Sequence, residues 1–208
     1  MKINLKSILL AVVGIFCVGV GLSFVNNAML GNDSIGILYD GIRNTANLTT
    51  AQLGTASNIA NYGLALVLFF IGRRYINIGT LIYILPYGFF VNLGTNIYNY
   101  LALPETIFIR ILVAIIGFLM IYLGLGIYIA TDIGVEPFTG LVMLIKDKLK
   151  KEYASVKIVF DLILVTIGVL LGGKFGIMTL ITAFSAGPII QFFSKKVTGI
   201  LNRQMSHI

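Results

Sequence analysis

The fold of this chain is decided by residues 107–130, which read IFIRILVAIIGFLMIYLGLGIYIA and carry one charged side chain, Arg110. A helix needs about 20 apolar residues to cross the roughly 30 Å of hydrocarbon in a bilayer, and this stretch is long enough. It is apolar all round, whereas the helices of a soluble domain keep a polar face. The stretch therefore predicts a membrane-spanning helix.

Five further apolar stretches of similar length lie along the chain. The six predicted spans are Ile8–Val25, Leu53–Gly72, Ile76–Gly94, Ile107–Ala130, Val156–Gly173 and Phe175–Phe193. The composition agrees, because 58% of the 208 residues are hydrophobic and only 11% are charged, whereas a soluble domain is about one-quarter charged. The sequence therefore predicts an all-α polytopic membrane protein whose main partner is the lipid bilayer.

Basic residues concentrate in alternate connections between these spans. They precede the first span, occur at Arg73 and Arg74, recur in residues 146–151 and follow the last span. The positive-inside rule then predicts that both termini are cytoplasmic. No aromatic–basic stripe accompanies the net charge of +7, so the charge indicates topology and no nucleic-acid partner is expected.

Short motifs recur in the two halves of the chain. Residues 19–22 (GVGL) resemble residues 124–127 (GLGI), and residues 79–82 (GTLI) resemble residues 178–181 (MTLI). A later pair of motifs, which begin with Gly88 and Gly187, keeps the same spacing. These matches predict an internal repeat over nearly the whole chain.

The repeat divides the chain into residues 1–103 and 104–208, each with three predicted spans. Because three is an odd number, the second half has to enter the membrane from the opposite side, which makes the repeat inverted. After the first span of each half lies a shorter apolar segment, residues 35–47 or 138–149. We expect these segments to be re-entrant or interfacial helices, and the lysines of residues 138–149 favour the interfacial placement there.

An inverted repeat offers two alternative packings of the same parts, which is how many secondary transporters achieve alternating access. We therefore expect a transporter or a membrane-embedded binding subunit for a small solute, with proton or cation coupling as one option. An energising ATPase and a homodimer are the candidate protein partners. The alternative is a structural or regulatory membrane protein that supports another complex without transport.

Asp161 is the strongest single candidate for a site residue. It lies inside the fifth predicted span, where a charged side chain costs at least about 2.5–3.5 kcal/mol and usually marks function. The repeat places Asn61 opposite Asp161 in the second span. We expect these two residues to line a central substrate site, at which Asp161 binds a cation or carries a proton.

Other polar residues flank the predicted spans. Four of them are expected to shape the rim of the substrate site: Asn27, Asp132, Asn92 and Gln191. Asn27 and Asp132 are also candidates to cap the breaks before the short segments. Asp33 and Glu136 lie where those segments begin, and a helix N-terminus favours a negative charge.

The chain lacks the residues of the common catalytic and metal sites. Cys17 is the only cysteine and His207 the only histidine, which excludes histidine triads and cysteine or histidine zinc sites within one chain. Residues 168–174 fit G-x-x-x-x-G-K, but Phe175 stands where a phosphate loop requires Ser or Thr. No enzyme, cofactor or metal site is predicted.

The second half also resembles a known family. Its residues 134–137 (GVEP), the intramembrane acid Asp161, residues 171–180 (LGGKFGIMTL) and residues 185–188 (SAGP) are similar to the YczE-like membrane proteins of bacteria, related to the YitT group. Asp161 stands where that family usually has Glu, and Met178 replaces a glycine. The resemblance implies the same fold and a bacterial cytoplasmic membrane location, and it implies no particular substrate.

Overall fold

The computed structural model describes residues 5–205, and within this part all regular secondary structure is helical. Eight α-helices follow one another: α1 (Leu5–Ala28), α2 (Ser34–Thr45), α3 (Leu53–Ile71), α4 (Ile78–Leu101), α5 (Ile107–Ala130), α6 (Pro137–Leu149), α7 (Tyr153–Leu170) and α8 (Ile177–Met205). Short 3₁₀ turns, Thr50–Gln52 and Arg73–Tyr75, precede α3 and α4. His207 lies outside the described residues.

Six helices of the described part are long and apolar enough to cross a membrane: α1, α3 with its preceding turn, α4, α5, α7 and α8. The six predicted spans are thus confirmed as long apolar helices, and Ile107–Ala130 has the predicted bounds. Helix α4 continues to Leu101, past the predicted end at Gly94, because polar residues lower the hydropathy there without breaking the helix. It ends at Ala102, whose φ of 43° is left-handed.

Helices α1 and α5 cross in the core with their backbones in contact. A Cβ added to Gly124 would lie 2.4 Å from the carbonyl oxygen of Gly14, and one added to Gly21 would lie 2.6 Å from that of Gly117. Small residues at a helix crossing allow such close approach, which is a common way for apolar helices to pack in a membrane. This crossing sets the relative position of the two short helices, because each follows one of the crossing helices.

Helix α2 lies beside the second half of α7 and runs in the same direction. In its first turn Ser34 donates a hydrogen bond to Asp161, in the middle of α7, and in its last turn Asn44 donates one to the carbonyl of Gly172, just beyond α7. Gly168 permits this contact, since a Cβ there would lie 2.7 Å from Cγ2 of Ile37. The small-residue positions at the end of this span therefore serve helix packing.

Helix α6 lies in the corresponding way beside the end of α3, near Leu68 and Gly72. Its first turns are buried in the bundle, with Phe138 1% exposed and Val142 fully buried. Only the lysine-bearing C-terminal end is open to solvent, where Lys148 is exposed. The first half of this helix is thus covered by the bundle, and the interfacial placement suggested by its lysines stays a prediction.

Candidate functional site

The two short helices both begin with an acidic cap. Asp33 accepts a hydrogen bond of 3.2 Å from the backbone N–H of Gly36 at the start of α2. Glu136 accepts two of 2.7 Å, from the backbone N–H groups of Phe138 and Thr139, at the start of α6. Carboxylates stabilise a helix N-terminus because its first N–H groups lack intrahelical partners. The two acids thus lie at the starts of the short helices, as predicted, and each accepts hydrogen bonds there.

The predicted caps Asn27 and Asp132 do not serve this role. Asn27 lies in the last turn of α1 and donates its amide N–H back to the carbonyl of Ser23, at 2.8 Å. Asp132 is exposed in the turn after α5, with a left-handed φ of 50°. The capping prediction for these residues is wrong because α2 and α6 begin several residues further on, beyond the turn glycines Gly31 and Gly134.

Tyr39 lies between the two capped helix starts. Its side chain is 2% exposed, and its ring packs edge-on against Phe138 of α6 at a centroid distance of 5.7 Å. Burial raises the pKa of Tyr39, and the neighbouring side chains of Tyr87, Glu136 and Asp33 raise it further. Acids from both halves of the chain therefore act on one phenol, which places them in the same region of the protein.

A third carboxyl group joins them from α7. Asp161 forms an ion pair with Lys157, one helical turn earlier, and accepts a hydrogen bond of 2.7 Å from Ser34. The two ion-paired side chains are 30% and 33% exposed, so the protein covers this pair only in part. Lys157 also acts electrostatically on Asp33 and Glu136. We call Asp33, Glu136, Asp161 and Lys157 the carboxyl cluster.

Burial and neighbouring charges act on the two capping acids of the carboxyl cluster. Burial raises the pKa of Asp33, and Lys157 together with the capping N–H offsets only part of that rise. Burial likewise raises the pKa of Glu136, against the hydrogen bonds from Thr139 and Phe138. With three acids and one amine, the cluster is net negative when fully ionised. Both caps therefore bind a proton more readily than an ordinary carboxyl group.

Asn61 is connected to the region of the carboxyl cluster by a hydrogen bond to Tyr39. It is fully buried, and its amide nitrogen donates to the hydroxyl of Tyr39 at 2.8 Å and to the carbonyl of Ser57 at 2.9 Å. Its Oδ1 has no hydrogen-bond partner among the described residues. Asn61 and Asp161, which we expected to face each other, are thus joined through α2: one bonds to Tyr39 and the other to Ser34.

Stacked tyrosines continue this region toward α4 and α5. Tyr83 and Tyr87 stack at a centroid distance of 5.0 Å, and Tyr128 meets Tyr83 edge-on at 5.2 Å. All three rings are buried, and within the described part the hydroxyl of Tyr128 has no partner. The i, i+4 spacing of Tyr83 and Tyr87 on one helix face was the available sequence signal for this group.

The remaining predicted rim residues lie elsewhere. Asn92 accepts a hydrogen bond of 2.7 Å from the backbone N–H of Gly54, where it supports the start of α3. Gln191 is exposed on α8. Across residues 5–201, neither of them, nor Asn27 or Asp132, is hydrogen-bonded to the carboxyl cluster. The structure thus groups Asp161 and Asn61 around α2 and leaves the other four apart.

Sequence reasoning gave the two acidic caps only a local electrostatic role. A signal for them was available, since Asp33 and Glu136 each follow two residues after a helix-breaking glycine, Gly31 or Gly134. Lys157 was also visible as an i, i+4 partner for Asp161. In the part of the chain that the structure describes, no three acidic, cysteine or histidine side chains are placed to hold a metal ion.

Comparison with known proteins identifies a family. Residues 5–195 match DUF6198, a family of unknown function. A Haemophilus influenzae protein described as uncharacterised is 30% identical over 187 residues, which cover 90% of this chain and 82% of that protein. No solved structure matches the chain. Neither match carries the YczE-like name, so that assignment stays a prediction. Because the match spans nearly the whole chain, this protein belongs to the DUF6198 family.

Proposed function

We propose that this protein transports a small solute across the bacterial cytoplasmic membrane and that a proton or another cation, bound at the carboxyl cluster, is coupled to the movement. One observation carries this proposal: two short helices, one from each half, begin with acids that act on the same buried tyrosine, Tyr39. A purely structural protein needs two of these acids as helix caps, but it leaves Asp161 unexplained, because an ionisable group on a membrane-spanning helix is costly.

Charge favours a cation over an anion at this site. Asp161 is neutralised by Lys157, whereas Asp33 and Glu136 have only backbone and hydroxyl donors as close partners in the described chain. Their raised pKa values suit proton uptake and release. The unpartnered Oδ1 of buried Asn61 is a further acceptor available to a bound cation or solute.

The helix contacts support an inverted repeat. Helices α1 to α4 of the first half correspond in order to α5 to α8 of the second half. With this correspondence the contacts between helices recur: α1 with α4 and α5 with α8, α2 with α7 and α6 with α3, and α2 with α3 and α6 with α7. Between the halves, Gly14 lies against Gly124, and Gly21 lies against Gly117. Exchanging Gly14 with Gly117 and Gly21 with Gly124 turns one of these contacts into the other, as a two-fold axis between α1 and α5 requires. This pairing differs by two residues from the match of residues 19–22 with residues 124–127.

The same comparison supports two re-entrant helices. Helix α2 begins beside the middle of α7 and runs to its end, and α6 approaches the end of α3, where Leu144 lies against Gly72. The N-termini of α2 and α6 then lie within the bundle, and their C-terminal ends point toward opposite surfaces of it. Discontinuous helices of this kind form the substrate and ion sites of many transporters.

One contact differs between the halves and favours movement. Helix α3 packs along α4, where a Cβ added to Gly88 would lie 2.3 Å from the amide oxygen of Asn58. Among the described residues, α7 makes no comparable contact with α8. Gly187, the counterpart of Gly88 in the repeat, has no neighbouring atom within 4 Å of an added Cβ. One half is closed at this position and the other is open, as alternating access between two packings requires.

The distribution of charge supports cytoplasmic termini. Arg73, Lys148 and Lys195 are exposed where α3, α6 and α8 approach one side of the bundle. On the other side Arg43 pairs with buried Asp40, so it is bound within the protein. Exposed basic residues therefore favour one side, which the positive-inside rule assigns to the cytoplasm.

The first test is a thermal-shift screen of the detergent-purified full chain against a library of small organic cations, anions and neutral metabolites. A ligand at about 100 times its Kd adds about 2.7 kcal/mol to the stability of the folded state. For a chain of this size that is a rise in Tm of roughly 5–10 °C. Each hit is then repeated with Glu136→Gln and Asp161→Asn, with exposed Glu105→Gln as the matched control.

We expect the hits to be cations, or solutes that bind better when the pH changes the charge of the cluster, and to be lost in Glu136→Gln but kept in Glu105→Gln. Reconstitution into liposomes with an internal pH dye then tests whether the solute moves protons, and Asp161→Asn is expected to abolish this coupling. If the hits bind Glu136→Gln and Asp161→Asn as tightly as they bind the native chain, the carboxyl cluster is not the binding site. A folded protein without any hit favours the structural alternative.

An energising ATPase and a homodimer remain predictions. Purification from native membranes in mild detergent tests both, because a stable partner co-elutes with the chain and a homodimer doubles its mass.

A further inference from the structure

A pocket outside the carboxyl cluster opens at the end of α3. It lies between the end of that helix, the 3₁₀ turn Arg73–Tyr75 and the C-terminal half of α6, and its volume is about 420 Å³. Ile71 and Leu144 form its apolar part, and Arg73, Arg74 and Lys148 form a basic rim. The pocket thus combines an apolar floor with concentrated positive charge.

The one acid of this pocket is already paired. Asp147 accepts hydrogen bonds from Arg74 and from the hydroxyl of Tyr75, and Lys146 lies 3.4 Å from its other oxygen. Within the described part of the chain, this leaves Arg73 and Lys148 without an acidic partner. The rim therefore keeps a surplus of positive charge that an anion can neutralise.

The pocket lies where the apolar surface of α3 ends and the basic turn begins. Phe70 is 75% exposed and Ile71 is 51% exposed at the last turn of the helix, and the guanidinium of Arg73 lies 5.1 Å from the ring centroid of Phe69. In a membrane-spanning helix this change of polarity marks the level of the lipid headgroups. A ligand here meets basic groups at one end and hydrocarbon at the other.

We propose that this pocket binds an anionic phospholipid, with its phosphate held by Arg73 and Lys148 and an acyl chain passing Ile71 along α3. Basic pockets between membrane helices suit such headgroups, and each basic residue near an anionic surface strengthens binding about five-fold. An inorganic phosphate ion is negatively charged like the headgroup, but it has no acyl chain to pack against the apolar surface of Phe70 and Ile71. The lipid therefore accounts for both halves of the pocket.

Native mass spectrometry of the full chain in a neutral detergent tests the proposal. The protein is titrated with phosphatidylglycerol, with phosphatidylcholine of the same acyl chains, and with inorganic phosphate alone. The double variant Arg73→Gln, Lys148→Gln removes the two unpaired charges. The matched control, Lys195→Gln with Lys196→Gln, removes two exposed charges from α8 instead.

We expect phosphatidylglycerol to bind in preference to phosphatidylcholine, and the double variant to weaken its binding about 25-fold while the control stays within about two-fold of the native chain. A charge-conserving variant, Arg73→Lys with Lys148→Arg, is expected to retain the preference. If the double variant fails to fold, the single variants Arg73→Gln and Lys148→Gln are each expected to lose about five-fold.

Three results overturn the proposal. Equal binding of the two lipids shows that the charged rim is not used. An equal loss in the variant and in its control shows that the general surface charge, and not this pocket, attracts the lipid. Binding of inorganic phosphate that excludes phosphatidylglycerol assigns the pocket to a free phosphate group.

Discussion

The crossing of α1 and α5 offers the sharpest test of the fold, through Gly124→Ala. The added Cβ would lie 2.4 Å from the carbonyl oxygen of Gly14, 2.8 Å from Cγ2 of Val18 and 2.9 Å from Cβ of Cys17. The nearest atom belongs to the backbone, so it cannot rotate away and the two helices have to separate. Gly124→Ala is therefore expected to destabilise the protein, although alanine is the better helix former.

The expected size of the effect follows from two opposed contributions. Overpacking a close contact costs about 1–3 kcal/mol, and a backbone atom at 2.4 Å points to the upper end of that range. Alanine in place of glycine gains about 1 kcal/mol of helix propensity. The net loss is about 2 kcal/mol, which lowers the Tm of a chain of this size by about 4–8 °C.

Gly63→Ala is the matched control, because a Cβ at this position in α3 has no neighbour within 4 Å. It keeps the gain in propensity without the clash, so its Tm is expected to stay level or rise by about 2–4 °C. The chain contains no tryptophan, and circular dichroism at 222 nm in detergent is the suitable measurement. A Gly124→Ala protein that melts at or above the Gly63→Ala protein refutes the close crossing.

Two further predictions concern charged groups. Burial raises the pKa of Glu136, so the stability that this acid contributes is fully present below its ordinary pKa of about 4.5 and is lost as the pH rises through the higher folded-state pKa. Between pH 4.5 and pH 8, the Tm of Glu136→Gln is therefore expected to fall less than the Tm of the native chain. An equal fall in both proteins contradicts the burial of this acid. Arg110 donates hydrogen bonds of 2.7 Å and 3.0 Å to the carbonyls of Ala28 and Met29 at the end of α1, so Arg110→Gln is expected to cost about 1 kcal/mol, or 2–4 °C in Tm. The control, Lys195→Gln, removes an exposed positive charge and is expected to leave the Tm unchanged. Equal melting of these two variants contradicts the capping role of Arg110.

Local patterns predicted the elements of this protein well. Apolar length alone located six long helices, and the shorter apolar segments after the first span of each half located the two short ones. The same patterns located Asp161, because a charge in an apolar helix stands out from its neighbours. They misplaced the caps, because Asn27 is as good a capping residue as Asp33 and only the backbone decides where a helix begins again.

The candidate site could be predicted only in part. Asp161 and Asn61 do lie around the same helix, but their partners, Ser34 and Tyr39, come from a segment that the sequence marked only as short and apolar. Glu136 was recognised as a site residue only because it lies near Tyr39, which is nearly one hundred residues away in the chain. Such partners leave no periodic trace in the sequence.

Apolar length and turn glycines act on neighbouring residues, so they were enough to predict which segments are helices, which of these can span a bilayer and where the chain breaks. That acids from three separate helices lie near Lys157, which forms its ion pair with Asp161, could be seen only in the folded structure. That grouping depends on how closely α1 crosses α5 at Gly14 and Gly124 and on which long helix each short helix packs against. Contacts between distant segments are set by the fit of whole surfaces, which local patterns do not encode.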